Sequence, residues 1–198
     1  MKGNVHMEII MPVDKVIEDI VLSSALRDRK IYFCTDVTRE SVFKVIHLLD
    51  RLVYLDKKQG TKEDIELVLD CEGGIIYFGL ALVSKILQLR ANGYRIITTV
   101  NSIEMSMGFM FGIVGSYRRA LKYSTLMIHQ PSSATWGKLQ DMEEDIDETN
   151  RLWKIMKEII IEYTAITDEQ LEDIKRRKHD WYLDSNSALS LRCIDEIL

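Results

Sequence analysis

The sequence predicts an α/β domain, and three observations carry that prediction. From residue 30 through the Ser106 segment, short β-branched apolar runs alternate with segments of helical period, an order that favours right-handed crossovers. The length of 198 residues, 46% of them hydrophobic and 29% charged, suits one domain with a sizeable core. A single long amphipathic segment at 138–163 exceeds what such a core needs and should project from it.

Taken in order, residues 1–18 show no strong period and read as a flexible arm ahead of a domain at 19–198. KIYFC (30–34) reads as a strand. TRESVFKVIHLLDRLVYL (38–55) spaces Val42, Val45, Ile46, Leu49 and Leu52 along one helical face. Thr38 can cap this helix, although Ser41 stands where a full capping box has an acid. DKKQGTKED is a polar connector, and IELVLD (65–70) is a strand that runs into Gly73-Gly74. A helix over 76–91 closes at Asn92-Gly93, and YRIITTV (94–100) is the next strand. STLMIHQP ends a strand at Pro131. The 138–163 helix carries a stripe of Leu139, Met142, Ile146, Trp153, Met156, Ile160 and Tyr163. Its acids come early and its bases late, as the helix dipole favours. Thr167 and Gln170 form a capping box for a last short helix.

Composition excludes several function classes. A net charge of −5 offers no basic face for a phosphate backbone, so no nucleic-acid partner is expected. Cys34, Cys71 and Cys193 are odd in number and lack metal or framework spacing, which suits reduced thiols in the cytoplasm. The most apolar window, 96–115, contains Asn101 and Glu104. A charge there is costly in lipid, so this window reads as buried strand and helix rather than a membrane span. The N-terminus lacks an export signal pattern.

Within NSIEMSMGFMFG (101–112), Ser106 is a lone hydroxyl where a strand gives way to a helix. A serine is a poor nucleophile until an oriented base takes its proton. Of the four histidines, His6 lies in the arm, His47 on a helix's polar face and His179 in a basic run. His129 ends an apolar strand, where it would be delivered to a sheet edge. Free N–H groups of Met107 and Gly108 at the helix start favour an oxyanion, and the Gly73-Gly74 turn can add another donor. Alone, Ser106 also fits a helix cap, His129 a structural histidine, and the glycine pair a tight turn. The nucleophile elbow G-x-S-x-G fails, because position 104 is Glu.

From about Asp19 to Leu198 the chain resembles the ClpP family, the proteolytic subunit of the Clp protease. DIVLSSALRDRKIYF is similar to the family's opening strand region. LVLDCEGG stands where the family has a strand ending Asn-Ser-Pro-Gly-Gly, EMSMG where it has Ala-Ala-Ser-Met-Gly, and LMIHQP matches Met-Ile-His-Gln-Pro. HDWYLDSNSALSLRCIDEIL is similar to the family's closing segment. The resemblance implies Ser106 as nucleophile, His129 as general base and Asp180 as the acid orienting it, with Asp173 and Asp184 as nearby alternatives from sequence alone. It implies an oxyanion hole of Gly74 and Met107 N–H groups and a crotonase-like spiral with 138–163 as a handle. It further implies two stacked seven-membered rings that enclose a chamber. The substrate strand would lie between the post-Gly74 segment and the strand after Pro131. No metal or organic cofactor is implied for the chain itself; ATP would be used only by a partner unfoldase.

The departures carry expectations too. Cys71-Glu72 replaces Ser-Pro, so this turn lacks a stiffening proline. Ile103-Glu104-Met105 replaces Gln-Ala-Ala, and Glu104 is expected to point into solvent, because unpaired burial is costly. The connection around Tyr117-Arg118-Arg119 is shorter than the family's. On the outer face, Glu66, Val68 and Gln88 stand where the family has aromatics that receive hydrophobic loops of its ATPase ring, which weakens docking of a standard unfoldase. The expected activity is that of a serine endopeptidase. A catalytically silent ring subunit is the alternative, and an acyl-thioester enzyme using Glu104 as acid/base is a third reading.

Overall fold

The computed structural model describes residues 13–132 and 137–198. Most of the arm expected at 1–18 lies outside the described residues. Its last part does not: helix α1 (Val13–Asp28) begins inside it, so only β1 (Lys30–Phe33) of the expected opening strand region is strand. Arg29 joins them in the left-handed region (φ 53°). Its guanidinium forks onto Asp56 at 2.9 and 2.8 Å, fixing the chain's entry into β1.

Helix α2 (Arg39–Gln59) starts at a reciprocal cap. Ser41 N–H donates to Thr38 Oγ1 (3.1 Å), and Thr38 N–H donates to Ser41 Oγ (2.9 Å), so the serine hydroxyl does the work expected of an acid. The helix runs one turn further than its apolar period and stops at Gly60 (φ 71°). Val42, Val45, Leu49 and Leu52 are buried as the period predicts. The next elements are β2 (Ile65–Cys71), α3 (Ile76–Ala91), β3 (Ile96–Met105), α4 (Met107–Ile113), β4 (Tyr117–Ala120) and β5 (Thr125–Ile128). They are followed by α5 (Leu139–Tyr163), α6 (Asp168–Arg177), β6 (Trp181–Asp184), α7 (Ser185–Ser190) and β7 (Glu196–Ile197).

The strands form one sheet in the order β1-β2-β3-β4-β7, parallel throughout. Strand β3, which continues five residues past the end of the sequence's apolar run at Val100, forks. Ile97–Val100 pair with β4, while Ile103–Met105 pair with β5, which in turn pairs antiparallel with β6. Tyr117–Arg119, expected in a connection, are strand. Arg119 and Arg118 disguise it in sequence, and each is paired: Arg119 with Glu66, Arg118 with Asp195. Phe33 meets Phe111 edge-on (centroids 5.3 Å apart), tying β1 to α4 within a single core.

Helix α5 behaves as two halves. Leu152, Trp153, Met156 and Ile160 are buried against the body, whereas Leu139 and Ile146 on the expected stripe are 73% and 54% exposed. At 25 residues it is about 37 Å long, so its acidic first half projects. Among the described residues, no helix is long and apolar enough to cross a membrane.

Candidate active site

Strand register brings the three candidate side chains into line. Met105 of β3 pairs with Met127 of β5, so Ser106 follows one pair and His129 lies two residues beyond it. Ile128 of β5 pairs antiparallel with Trp181 of β6, which places His129 and Asp180 opposite each other just past the last pair. The result is a 2.8 Å contact between His129 Nε2 and Ser106 Oγ and a 3.7 Å separation between His129 Nδ1 and Asp180 Oδ1. The first is a hydrogen bond; the second is an ion-pair distance. Asp180 is half exposed, and a cavity of about 380 Å³ lined by His129, Asp180, Lys178 and His179 opens beside the imidazole. The neighbouring acids have other tasks. Asp173 pairs with Arg176 and Arg177, and Asp184 caps α7 by accepting the Ser187 N–H at 2.7 Å.

Ser106 sits at φ 54°, ψ −119°, outside the regions a non-glycine residue ordinarily occupies. Such a conformation costs of order 1–3 kcal/mol and persists only where the surroundings dictate it. They do so here. Ser106 N–H donates to Met127 O (2.9 Å), α4 behind it is buried over its whole length, and Gly73 presses against it. A Cβ on Gly73 would stand 2.7 Å from Ser106 Cβ and 3.1 Å from its Oγ. Gly73 also has φ 118°, which few side chains tolerate. The Gly73 carbonyl accepts from Val37 N–H (2.7 Å), and Ile75 N–H donates to Val37 O (2.9 Å), which pins the loop holding Gly74. Met107, whose N–H is in the first turn of α4, is fully buried. Cys71 replaces the missing proline in a way sequence did not suggest: its Sγ accepts the Gly73 N–H at 3.3 Å. Burial pushes this thiol up to about 12.

Glu104 corrects an expectation. It does not face solvent: it is fully buried, in register with Cys71 on one side and Leu126 on the other, with its carboxyl against Gly112 of α4. Neither carboxylate oxygen has a hydrogen-bond partner among the described residues. Burial therefore raises its pKa well above the usual 4.5, against a weaker opposing pull from the Gly112 backbone. Its alternation along β3 sends it inward, and retention of the proton, which keeps the carboxyl neutral, is what makes burial tolerable. Enclosed there, it cannot reach a substrate, which removes the acid/base that the acyl-thioester reading required.

On the outer face, Glu66 is held by Thr99 (2.7 Å), Arg119 (2.6 Å) and Lys30 (3.0 Å), while Val68 is buried and Gln88 exposed. This is a polar network rather than an aromatic pocket. Among the described residues, no group of three or more His, Cys, Asp and Glu side chains is placed to hold a metal ion.

Comparison with known proteins supplies the context for this geometry. Residues 14–198 match the family model described as Clp protease. An ATP-dependent Clp protease proteolytic subunit of Deinococcus radiodurans is 27% identical over 97% of this chain and 95% of its own length. A protein of the same description from Borrelia garinii is 30% identical over 90% of this chain and 88% of its own. An ATP-dependent Clp protease proteolytic subunit 1 of Borreliella burgdorferi is 29% identical over the same shares.

Proposed function

The chain belongs to the Clp protease family, and from that membership we propose that it is a serine endopeptidase acting through Ser106, His129 and Asp180. The observation that carries the reading is Ser106 Oγ standing 2.8 Å from His129 Nε2 on a strained backbone. Ser106 Oγ attacks the peptide carbonyl while His129 Nε2 takes its proton. The N–H groups of Gly74 and Met107 receive the developing oxyanion. His129 then returns the proton to the leaving amine, and water repeats the cycle on the acyl-enzyme. Asp180 fixes the Nδ1–H tautomer. Its 3.7 Å separation shortens to a hydrogen bond when substrate fills the cleft, since such contacts are often long in unliganded sites. The chemistry needs no cofactor in this chain.

The working form is a homo-oligomer of two stacked seven-membered rings. Exposed Leu139 and Ile146 on the projecting half of α5 supply apolar contacts between copies. An ATP-using unfoldase feeds it, and one suited to Glu66, Arg119 and Gln88 makes polar contacts on the outer face. The test is peptide hydrolysis across a sizing column. Activity that follows a large species and vanishes in Ser106→Ala supports the reading. Assembled rings with no activity would instead mark a silent ring subunit.

A further inference from the structure

The first turn of α3 is fixed to the body on two sides. Ile75 N–H donates to Val37 O (2.9 Å), and Gly79 seats the Met107 side chain so closely that a Cβ there would stand 2.3 Å from Met107 Cε. Between these anchors Tyr77 is 54% exposed, and its O–H donates to Glu148 Oε1 of α5 at 2.5 Å, joining residues 71 apart in sequence. Arg151, further along α5, forks onto the same carboxylate at 2.6 and 2.7 Å and so holds it ready for the phenol. These partners hold the Glu148 carboxyl down to about 2, so the acceptor stays ionised throughout the working range. Tyr77 and Glu148 both line a cavity of about 420 Å³ bounded by Gly74 and Ile75 on one side, by Pro131 on another and by Leu152 of α5. Gly74 follows the glycine that touches Ser106, and Pro131 follows His129 by two residues, so this space continues the catalytic line. Glu148 lies one turn ahead of Leu152, the first buried residue of α5. The bond from Tyr77 therefore ties α5 to the frame around Ser106 at the point where that helix leaves the body.

Resting on the peptidase reading, we propose that Tyr77 and Glu148 form a clasp that sets the width of the substrate cleft, with Tyr77 as a positioning residue for the peptide. A peptide entering between Gly74 and Pro131 must fit the space that α5 leaves it, and it binds best where the walls already stand at the right separation. With the phenol bound to Glu148, α3 and α5 hold that separation before the substrate arrives. Without the bond, the α5 wall must be ordered as the peptide binds, which weakens affinity. The hydroxyl is the part of Tyr77 that matters, because phenylalanine keeps the ring beside the cavity and loses only the donor.

The test is run on the assembled full chain carrying Ser106→Ala, so that it reads binding without turnover. A fluorescent unstructured peptide is titrated by anisotropy against this parent, against Tyr77→Phe and Glu148→Ala added singly, and against both together. Each single change should weaken binding about fivefold, the value of one partly exposed charge-assisted contact, and the double variant should bind no more weakly because both changes break the same bond. Glu148→Gln, which still offers an oxygen to the phenol, should fall between the parent and Glu148→Ala. In the chain that keeps Ser106, Tyr77→Phe should raise KM for this peptide by more than it lowers kcat, a split that a general loss of structure would not give. An unchanged affinity in Tyr77→Phe, additive losses in the double variant, Glu148→Gln as weak as Glu148→Ala, or a fall confined to kcat overturns the proposal. Failure of the peptidase reading registers separately, as absent fluorophosphonate labelling of the unsubstituted chain, and leaves these affinities standing.

Discussion

Glu104 makes folding stability respond to pH in a way that surface carboxylates do not, and substituting it by glutamine should abolish that response. The side chain is fully buried, faces the Cys71 and Cys193 thiols and the Gly112 backbone, and has no hydrogen-bond partner among the described residues. Its folded-state pKa is raised above the usual 4.5, so the folded chain keeps a proton that the unfolded chain releases. Folding then takes up that proton, and stability falls as pH rises from about 4.5 until the folded-state carboxyl itself ionises. One proton corresponds to a limiting slope of about 1.4 kcal/mol per pH unit, reached where the unfolded carboxyl is ionised and the folded one still holds its proton. The two thiols, pushed up to about 12 by burial, stay protonated across this window and add nothing to the slope. Glu104→Gln removes the slope. The amide finds no more partners than the acid did, so the readout is the pH dependence and not the absolute stability. Urea unfolding of both proteins at fixed protomer concentration, at pH 5, 6 and 7, measures it. Parallel lines for the two proteins would mean that Glu104 is ionised in the folded chain, refuting the burial argument.

Two further substitutions probe the supports of the site. Gly73→Ala places a methyl against Ser106 Cβ and Oγ, and the loop cannot retreat because Val37 pins it from both sides; hydrolysis should fall by 100-fold or more while circular dichroism stays unchanged. Near-normal activity would show that the nucleophile does not depend on this contact. Asp56→Ala leaves the part-buried Arg29 guanidinium without its carboxylate and should cost about 3–5 kcal/mol, read as a lower urea midpoint. A loss under 1 kcal/mol would mean that water replaces the pair.

Periodicity in sequence located α2, α3 and the buried half of α5 because each presents one continuous apolar face to the core, as Val42, Val45, Leu49 and Leu52 do. It missed the far half of β3 because Asn101 and Ser102, both exposed, interrupt the apolar run where the register against β2 shifts, and pairing resumes at Ile103 and Glu104. It missed β4 because its arginines look like a turn until Glu66 and Asp195 are seen to answer them. Ser106 and His129 stood out as isolated polar groups in apolar surroundings. What brings them together is register across β3, β5 and β6, which depends on pairings remote in sequence. Gly73, not its neighbour Gly74, touches the serine, and a chain-local view cannot rank the two. The Cys71 thiol serving a backbone N–H left no sequence signal, since a buried cysteine normally reads as a small apolar residue.

The chemistry itself is tested most directly by intact-mass analysis after incubation with a fluorophosphonate, followed by peptide mapping. A single adduct on the peptide bearing residue 106, absent from Ser106→Ala and formed at least 100-fold more slowly in His129→Ala, is the predicted result. An unreacted wild-type chain, or an adduct that persists after Ser106 is replaced, would contradict the account.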